Sequence, residues 1–197
     1  AYSIDMTDHG SAAASSLMTA LRTTYDASIA VGYSPLVSTS IYCGDYSKQQ
    51  LLWVMAGNYA VSQGEYTGAE LRQMMEWLVN VKDNGANPIR HRNYMPVTSG
   101  MEYKVTKYEQ GKFRLEELTI NGAPLDDTAT YTVFVAGIDV WIENEVYCNC
   151  PMPENLKAKR TEYAIEGAES RSCLKDSLAV SKQFPAPSEY LTIVQGE

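Results

Sequence analysis

Between Met101 and Ala136 apolar and polar residues alternate along three runs: Tyr103, Val105 and Lys107; Phe113, Leu115, Leu118 and Ile120; Tyr131, Val133 and Val135. A period of two sends successive side chains to opposite faces of a strand, so this stretch commits the chain to a sheet with one face on a core. Gln110-Gly111 and Asn121-Gly122 fall between the runs as turn dipeptides, which predicts antiparallel strands in a meander. Upstream the period is helical. Thr67-Gly68-Ala69-Glu70 has the Ser/Thr-x-x-Glu form of a capping box, and Leu71, Met74, Met75, Leu78 and Val79 follow on one stripe. Helices and strands in one chain make a mixed α/β domain.

Other elements are read from shorter signals. Ser15 or Ser16 is positioned to cap a first helix with Leu17, Met18 and Leu21 on one face, ending near Thr23 to Tyr25. Asp26 to Val31 reads as a short buried strand, and Gly32 to Thr39 as the loop leaving its carboxyl end, a frequent place for ligands. Ser47 caps a second helix carrying Leu51, Leu52, Val54 and Met55, stopped by Gly57-Asn58, and Tyr59 to Tyr66 is extended. Asp83 to Pro88 is turn chemistry before Arg90, His91 and Arg92, a basic cluster that suits a solvated loop or an anion site. Val140 to Lys159 shows no clean period and predicts a long loop or lid. Ser170 caps a last helix through Leu174 and Leu178, and Tyr190 to Val194 forms a terminal strand. Neither an internal repeat nor a low-complexity linker divides the 197 residues, so one domain is expected.

Charge and residue inventory limit the chemistry. Sixteen basic against 24 acidic residues leave a net charge of −8, which repels polyanions and argues against nucleic-acid polymers and anionic membranes as partners. No window has the apolar length of a membrane span, and the first residues lack the basic and apolar regions of a signal peptide. His9 and His91 are the two histidines, too few for a two-metal phosphoesterase centre and poorly suited to a nucleophilic triad. No Gly-rich phosphate loop occurs. Cys43, Cys148, Cys150 and Cys173 allow three full pairings, or buried reduced thiols; the Cys-x-Cys spacing does not suit structural zinc. The residues describe a globular domain without catalytic machinery of its own, and with no cofactor expected in it.

The order of segments adds a family resemblance. Ser16 to Arg22, then Asp26 to Val31, then Cys43-Gly44-Asp45-Tyr46-Ser47 before a helix resembles the opening of the C-terminal domain of 5'-nucleotidases and UDP-sugar hydrolases. Gly64 to Leu71 is similar to that family's Thr-Gly helix start, Val97 to Tyr103 to its Val-Ser-Gly strand, and Ile120 to Asp126 with Thr130 to Val133 to its hairpin. The resemblance spans about residues 15 to 140. It implies an α+β fold with a layered α/β/β/α architecture and antiparallel hairpins, with residues 140–165 as an irregular insertion or lid. It also implies a role. In this family the C-terminal domain holds the nucleotide or nucleoside for an N-terminal metallophosphoesterase domain, which carries divalent metal ions and would lie outside this chain. The parent would be an exported hydrolase of nucleotide catabolism, extracellular, periplasmic or on the cell surface.

Departures from the family pattern locate the expected substrate-binding residues. Where the family has an Asn-Gly-Gly-x-x-Arg loop, this chain reads Tyr33-Ser34-Pro35-Leu36-Val37-Ser38, which puts Ser38 at the substrate arginine and makes Tyr33 a neighbour of the ligand. The base-stacking phenylalanine falls on Tyr94 or Met95. The aromatic and Gly-Gly-Asp-Gly turn are replaced by Gly137-Ile138-Asp139-Val140-Trp141, where Asp139 is retained and Trp141 offers a stacking face. Arg72, on the first turn of the Thr67-Gly68 helix, is the candidate for a retained substrate arginine, or else a surface helix charge. Loss of both glycine-rich loops also suits a second reading, a degenerate domain of the same fold serving as a structural or surface-interaction module.

Overall fold

Ser11, rather than Ser15 or Ser16, starts the first helix in the computed structural model, which describes residues 11–32, 40–42, 44–55, 57–80, 95–108, 113–138 and 152–196. Helix α1 (Ala12–Thr24) is capped by the Ser11 hydroxyl, which accepts from the Ala14 amide at 3.1 Å. The correction has a physical cause: Ala12 to Ala14 continue the helix backwards, and Ser15 and Ser16 are buried inside it. Their hydroxyls donate to the carbonyls of Ser188 (2.8 Å) and Pro185 (2.6 Å), tying α1 to the C-terminal segment. Leu17, Met18 and Leu21 are buried as their spacing predicts.

Chain order continues with β1 (Ile29–Gly32), α2 (Lys48–Val54), β2 (Ala60–Thr67), α3 (Gly68–Asn80), β3 (Val97–Ser99), β4 (Glu102–Lys107), β5 (Phe113–Ile120), β6 (Ala123–Pro124) and β7 (Thr130–Ala136). Then come α4 (Glu154–Glu162), β8 (Ala164–Glu169), α5 (Ser170–Ser181) and β9 (Leu191–Gln195). Among the described residues the strands form two sheets, ordered β3-β1-β7-β2-β8 and β6-β5-β4-β9. This is a mixed α+β fold. Helix α1 packs on β1, β3 and α5, and α3 touches β2 and β5, one strand of each sheet.

The expected meander holds for two of its three runs. β4 and β5 pair antiparallel, and Asn121 and Gly122 take φ of 53° and 76°, the positive values that a tight hairpin turn requires, before β6. Gln110-Gly111 lies outside the described residues. The third run, β7, leaves for the other sheet, where it lies parallel to β1 and antiparallel to β2. Val133, Phe134, Val135 and Ala136 are all buried, so the second half of β7 has no face left for water and belongs in the middle of a sheet.

Helix α3 begins as its sequence predicts. The Glu70 amide donates to the Thr67 hydroxyl at 3.2 Å, and the Thr67 amide donates to the Glu70 carboxylate at 2.8 Å. Gly68 is required by a close approach: a Cβ there would lie 2.1 Å from the Asp126 carbonyl oxygen. The Gly68 and Ala69 amides donate to the carbonyls of Ala129 (2.9 Å) and Asp127 (3.0 Å) in the connection to β7.

Two expectations shift further on. Helix α2 has the Ser47 capping box but stops at Val54, before Gly57, because Met55 is already extended. The expected irregularity of residues 140–165 fails from Glu154 onward, where α4 and β8 are regular elements. Helix α4 buries Leu156 alone, so it has no apolar stripe to read; Glu154 in its first turn and Lys159 and Arg160 in its last suit the helix dipole instead. β8 is largely exposed, on the outer side of β2, which removes the alternation by which strands are recognised.

Candidate functional site

Strand register brings five strand ends to one edge of the first sheet. Gly32, the last residue of β1, faces Val97 of β3 on one side and Ala136 of β7 on the other. Ala136 faces Val61, and Ala60 at the start of β2 faces Glu169 at the end of β8. β1 and β7 run parallel and both deliver their carboxyl ends here, while antiparallel β3 begins here. Carboxyl ends of adjacent strands are the usual place for ligand loops in mixed sheets.

Tyr33 directly follows Gly32 in the chain, with Ser38 beyond it; Tyr94 lies three residues before Val97; Asp139 and Trp141 follow Ala136 by three and five residues. These five expected ligand residues lie outside the described residues, as do His9, His91, Arg90, Arg92, Cys43, Cys148 and Cys150. Met95, the alternative to Tyr94, is buried.

Arg72 is not brought to this edge. Helix α3 leaves β2 at Thr67, which faces Thr130 at the opposite end of β7, across a seven-residue strand of about 20 Å. There its Nη2 and Nε donate to one Asp127 carboxylate oxygen at 2.8 and 3.1 Å. The pair is half-exposed and contributes at most about 1 kcal/mol. What it does geometrically is brace α3 against the connection to β7.

The described groups at this edge form a lock that sequence reading did not single out. The Tyr59 amide donates to the Ser170 hydroxyl at 3.0 Å, and the Ser170 amide donates to the Tyr59 carbonyl at 2.8 Å. The Asn58 side-chain amide donates to the Glu169 carboxylate, and Arg171 Nη2 donates to the Met55 carbonyl at 3.0 Å. These bonds fix the start of α5 to the connection between α2 and β2. Gly57-Asn58 and Ser170 are visible in sequence only as helix punctuation; pairing between residues 111 positions apart has no local signal.

The titratable groups with displaced affinities are structural. Burial pushes the Tyr66 and Tyr190 phenols up to about 12 and raises the Cys173 thiol. Burial also pushes the Glu70 carboxyl up, but hydrogen bonds from Lys159 and Thr67 outweigh it and hold Glu70 below the usual carboxylate range. Among the described residues no three His, Cys, Asp or Glu side chains are grouped to hold a metal ion. None of the helices there is long and apolar enough to cross a membrane.

The model of the "5'-nucleotidase, C-terminal domain" family matches residues 5–138. The chain belongs to that family. Solved structures agree on the fold of this 5'-nucleotidase C-terminal domain. A 5'-nucleotidase precursor from Thermus thermophilus superposes with a TM-score of 0.66 at 18% identity over 97% of the chain, and Haemophilus influenzae NAD nucleotidase with 0.69 at 12% over 96%. The sulfate thiohydrolase SoxB of Thermus thermophilus follows with 0.62 at 16% over 98%. The chain spans 34 to 37% of the length of these three proteins. No curated protein matches it. Identities this low carry the fold alone, and the three proteins are named for different reactions, so the substrate must be argued from the site.

Proposed function

We propose that this domain binds the nucleotide or nucleoside substrate of a 5'-nucleotidase-type hydrolase and positions it for a catalytic domain elsewhere in the parent chain. The observation that supports it most is the convergence of β1, β3 and β7 on one sheet edge, from which the Tyr33, Tyr94 and Trp141 segments depart in the chain. In this reading Tyr94 and Trp141 stack on the base, Asp139 accepts from ligand hydroxyls, and Tyr33 and Ser38 line the loop beside it. Arg72 acts as the brace of α3 and not as a ligand contact. Divalent metal ions and the hydrolytic step belong to the N-terminal catalytic domain, and the parent protein is exported. Holding a substrate in register with a separate reactive centre lowers the barrier through orientation, without chemistry by these residues.

The test titrates the chain with adenosine, AMP, UMP and a cyclic nucleotide, followed by tryptophan fluorescence and calorimetry. Trp141→Phe should remove most of the fluorescence response. Tyr94→Ala should weaken binding about tenfold, since a stacked aromatic pair is worth about 0.5–1.5 kcal/mol beyond its buried area. Silence of both signals across all four ligands would sink the binding role and leave the structural-module reading.

A further inference from the structure

Helices α2 and α5 enclose a groove that the ligand loops do not account for. One face of α5 presents Arg171, Leu174, Lys175 and Leu178, residues three and four apart, and Lys182 follows at its end. Two cavities lie along this face and share Leu51 of α2: one of about 260 Å³ bounded by Leu52, Arg171, Leu174 and Lys175, and one of about 710 Å³ that includes Tyr42, Tyr46, Leu178, Lys182 and Phe184. The larger is within the size range of small-molecule sites. Tyr46 and Phe184 meet edge to face there, with ring centroids 5.9 Å apart, and Tyr42 is 62% exposed beside them.

The side chains of the two lysines along the groove make no hydrogen bond or ion pair among the described residues, whereas Arg171 is partly committed to the fold. Among the described residues no carboxylate lies within ion-pairing distance of Arg171, Lys175 or Lys182, although the chain carries a net charge of −8. Arg171 spends Nη2 on the Met55 carbonyl, and its Nε is buried without a partner. Asp45 on the rim of the larger cavity is exposed and outside ion-pairing distance of Lys182. Lys182 is also held at φ 60°, in the left-handed region where glycine is the favoured residue. An aromatic end beside two unpaired lysines fits a flat aromatic ring bearing an anionic group.

We propose that the α2–α5 groove is a second ligand site, for an aromatic anion, with the ring against the Tyr46–Phe184 pair and the anionic group drawn to Lys182 on the same cavity and to Lys175 on the adjoining one. It does not depend on the nucleotide reading of the sheet edge.

The probe is 1-anilinonaphthalene-8-sulfonate, an aromatic sulfonate whose emission rises on binding, with AMP as competitor in a second arm. One molecule should bind per chain, and Lys175→Glu should weaken it about fivefold or more, with affinity falling as salt rises. Lys182→Gly keeps the test independent of folding: it removes the cation while relieving the positive φ, so Tm should rise by about 2–4 °C while affinity falls. Tyr94→Ala and Trp141→Ala should leave the probe unaffected, which separates this site from the sheet edge. Displacement by AMP that survives those two variants would place the nucleotide in the groove, in support of the proposal. Absence of stoichiometric binding, indifference to both lysine variants, or loss of the probe in the Tyr94 or Trp141 variants would overturn it.

Discussion

Lys159 Nζ lies 2.6 Å from the same Glu70 carboxylate oxygen that accepts the Thr67 amide, so one carboxylate both caps α3 and anchors α4. Lys159 also donates to the Glu65 carbonyl at 3.1 Å and stands 5.5 Å from the Tyr66 ring centre. Two elements of different legibility are thus joined through a single side chain: α3 announces its start in sequence, and α4 does not.

Glu70→Gln should cost about 1–2 kcal/mol at neutral pH, from the weakened cap and the lost ion pair. Because the folded Glu70 carboxyl is held below its unfolded value, its contribution is complete above the ordinary carboxylate range. It fades as pH falls through the folded value, so the gap between wild type and Glu70→Gln in urea midpoints should be full at pH 7 and narrow towards pH 3. A gap that stays constant with pH would contradict this assignment.

Gly68→Ala and Arg72→Ala probe the same contact between α3 and the β7 connection with losses of different size. The added methyl would sit 2.1 Å from the Asp126 carbonyl oxygen, a clash with backbone, so α3 must move and stability should drop by about 1–3 kcal/mol. Arg72→Ala removes a half-exposed pair and should cost less than about 1 kcal/mol, with nucleotide affinity unchanged. A large loss of ligand affinity in Arg72→Ala would instead return this arginine to the substrate. Thermal unfolding and calorimetry on the two variants separate the cases.

What sequence made legible follows from how local each signal is. Thr67 and Glu70 cap a helix three residues apart, and Asn121-Gly122 demands a particular turn, so both are read without tertiary knowledge. β7 misled because alternation ahead of Val133 looks like another meander strand, whereas its register with β1 depends on residues far upstream in the chain. Helix α4, with Leu156 as its one buried residue, has no apolar stripe, and the Lys159 contacts that anchor it carry no period. The convergence of strand ends at Gly32, Val97 and Ala136 was implicit in the family resemblance alone, since pairing order leaves no mark on any single segment.

Ser15 and Ser16 illustrate a second kind of illegibility, because a serine before an apolar run reads as a cap while its hydroxyl is used across the fold. Ser15 Oγ donates to the Ser188 carbonyl at 2.8 Å and accepts the Ser188 amide at 2.9 Å. Ser15→Ala would strand both backbone groups and should cost about 1–3 kcal/mol, whereas a cap role would predict a loss confined to fraying of α1. Hydrogen exchange at the Ser188 amide is the discriminating readout: it should accelerate in the variant by about the same free energy.

Cys173 is shielded from thiol reagents by its place in the fold. Its thiol is 1% exposed in α5, and burial raises its pKa further above neutral, so at pH 7 both thiolate population and access are low. The Tyr25 phenol beside it is raised as well, chiefly by burial and then by its hydrogen bond with Cys173, so this neighbour does not act as a base that draws off the proton. Alkylation by iodoacetamide under native conditions, read by mass spectrometry of the Cys173 peptide, should lag that of the unfolded chain by at least about 100-fold, which an opening cost of several kcal/mol requires. Modification of Cys173 at rates close to the unfolded chain would mean that α5 opens readily. The groove lined by Leu174 and Lys175 on that helix would then lack a rigid wall, so this measurement also bears on whether the aromatic site is preformed.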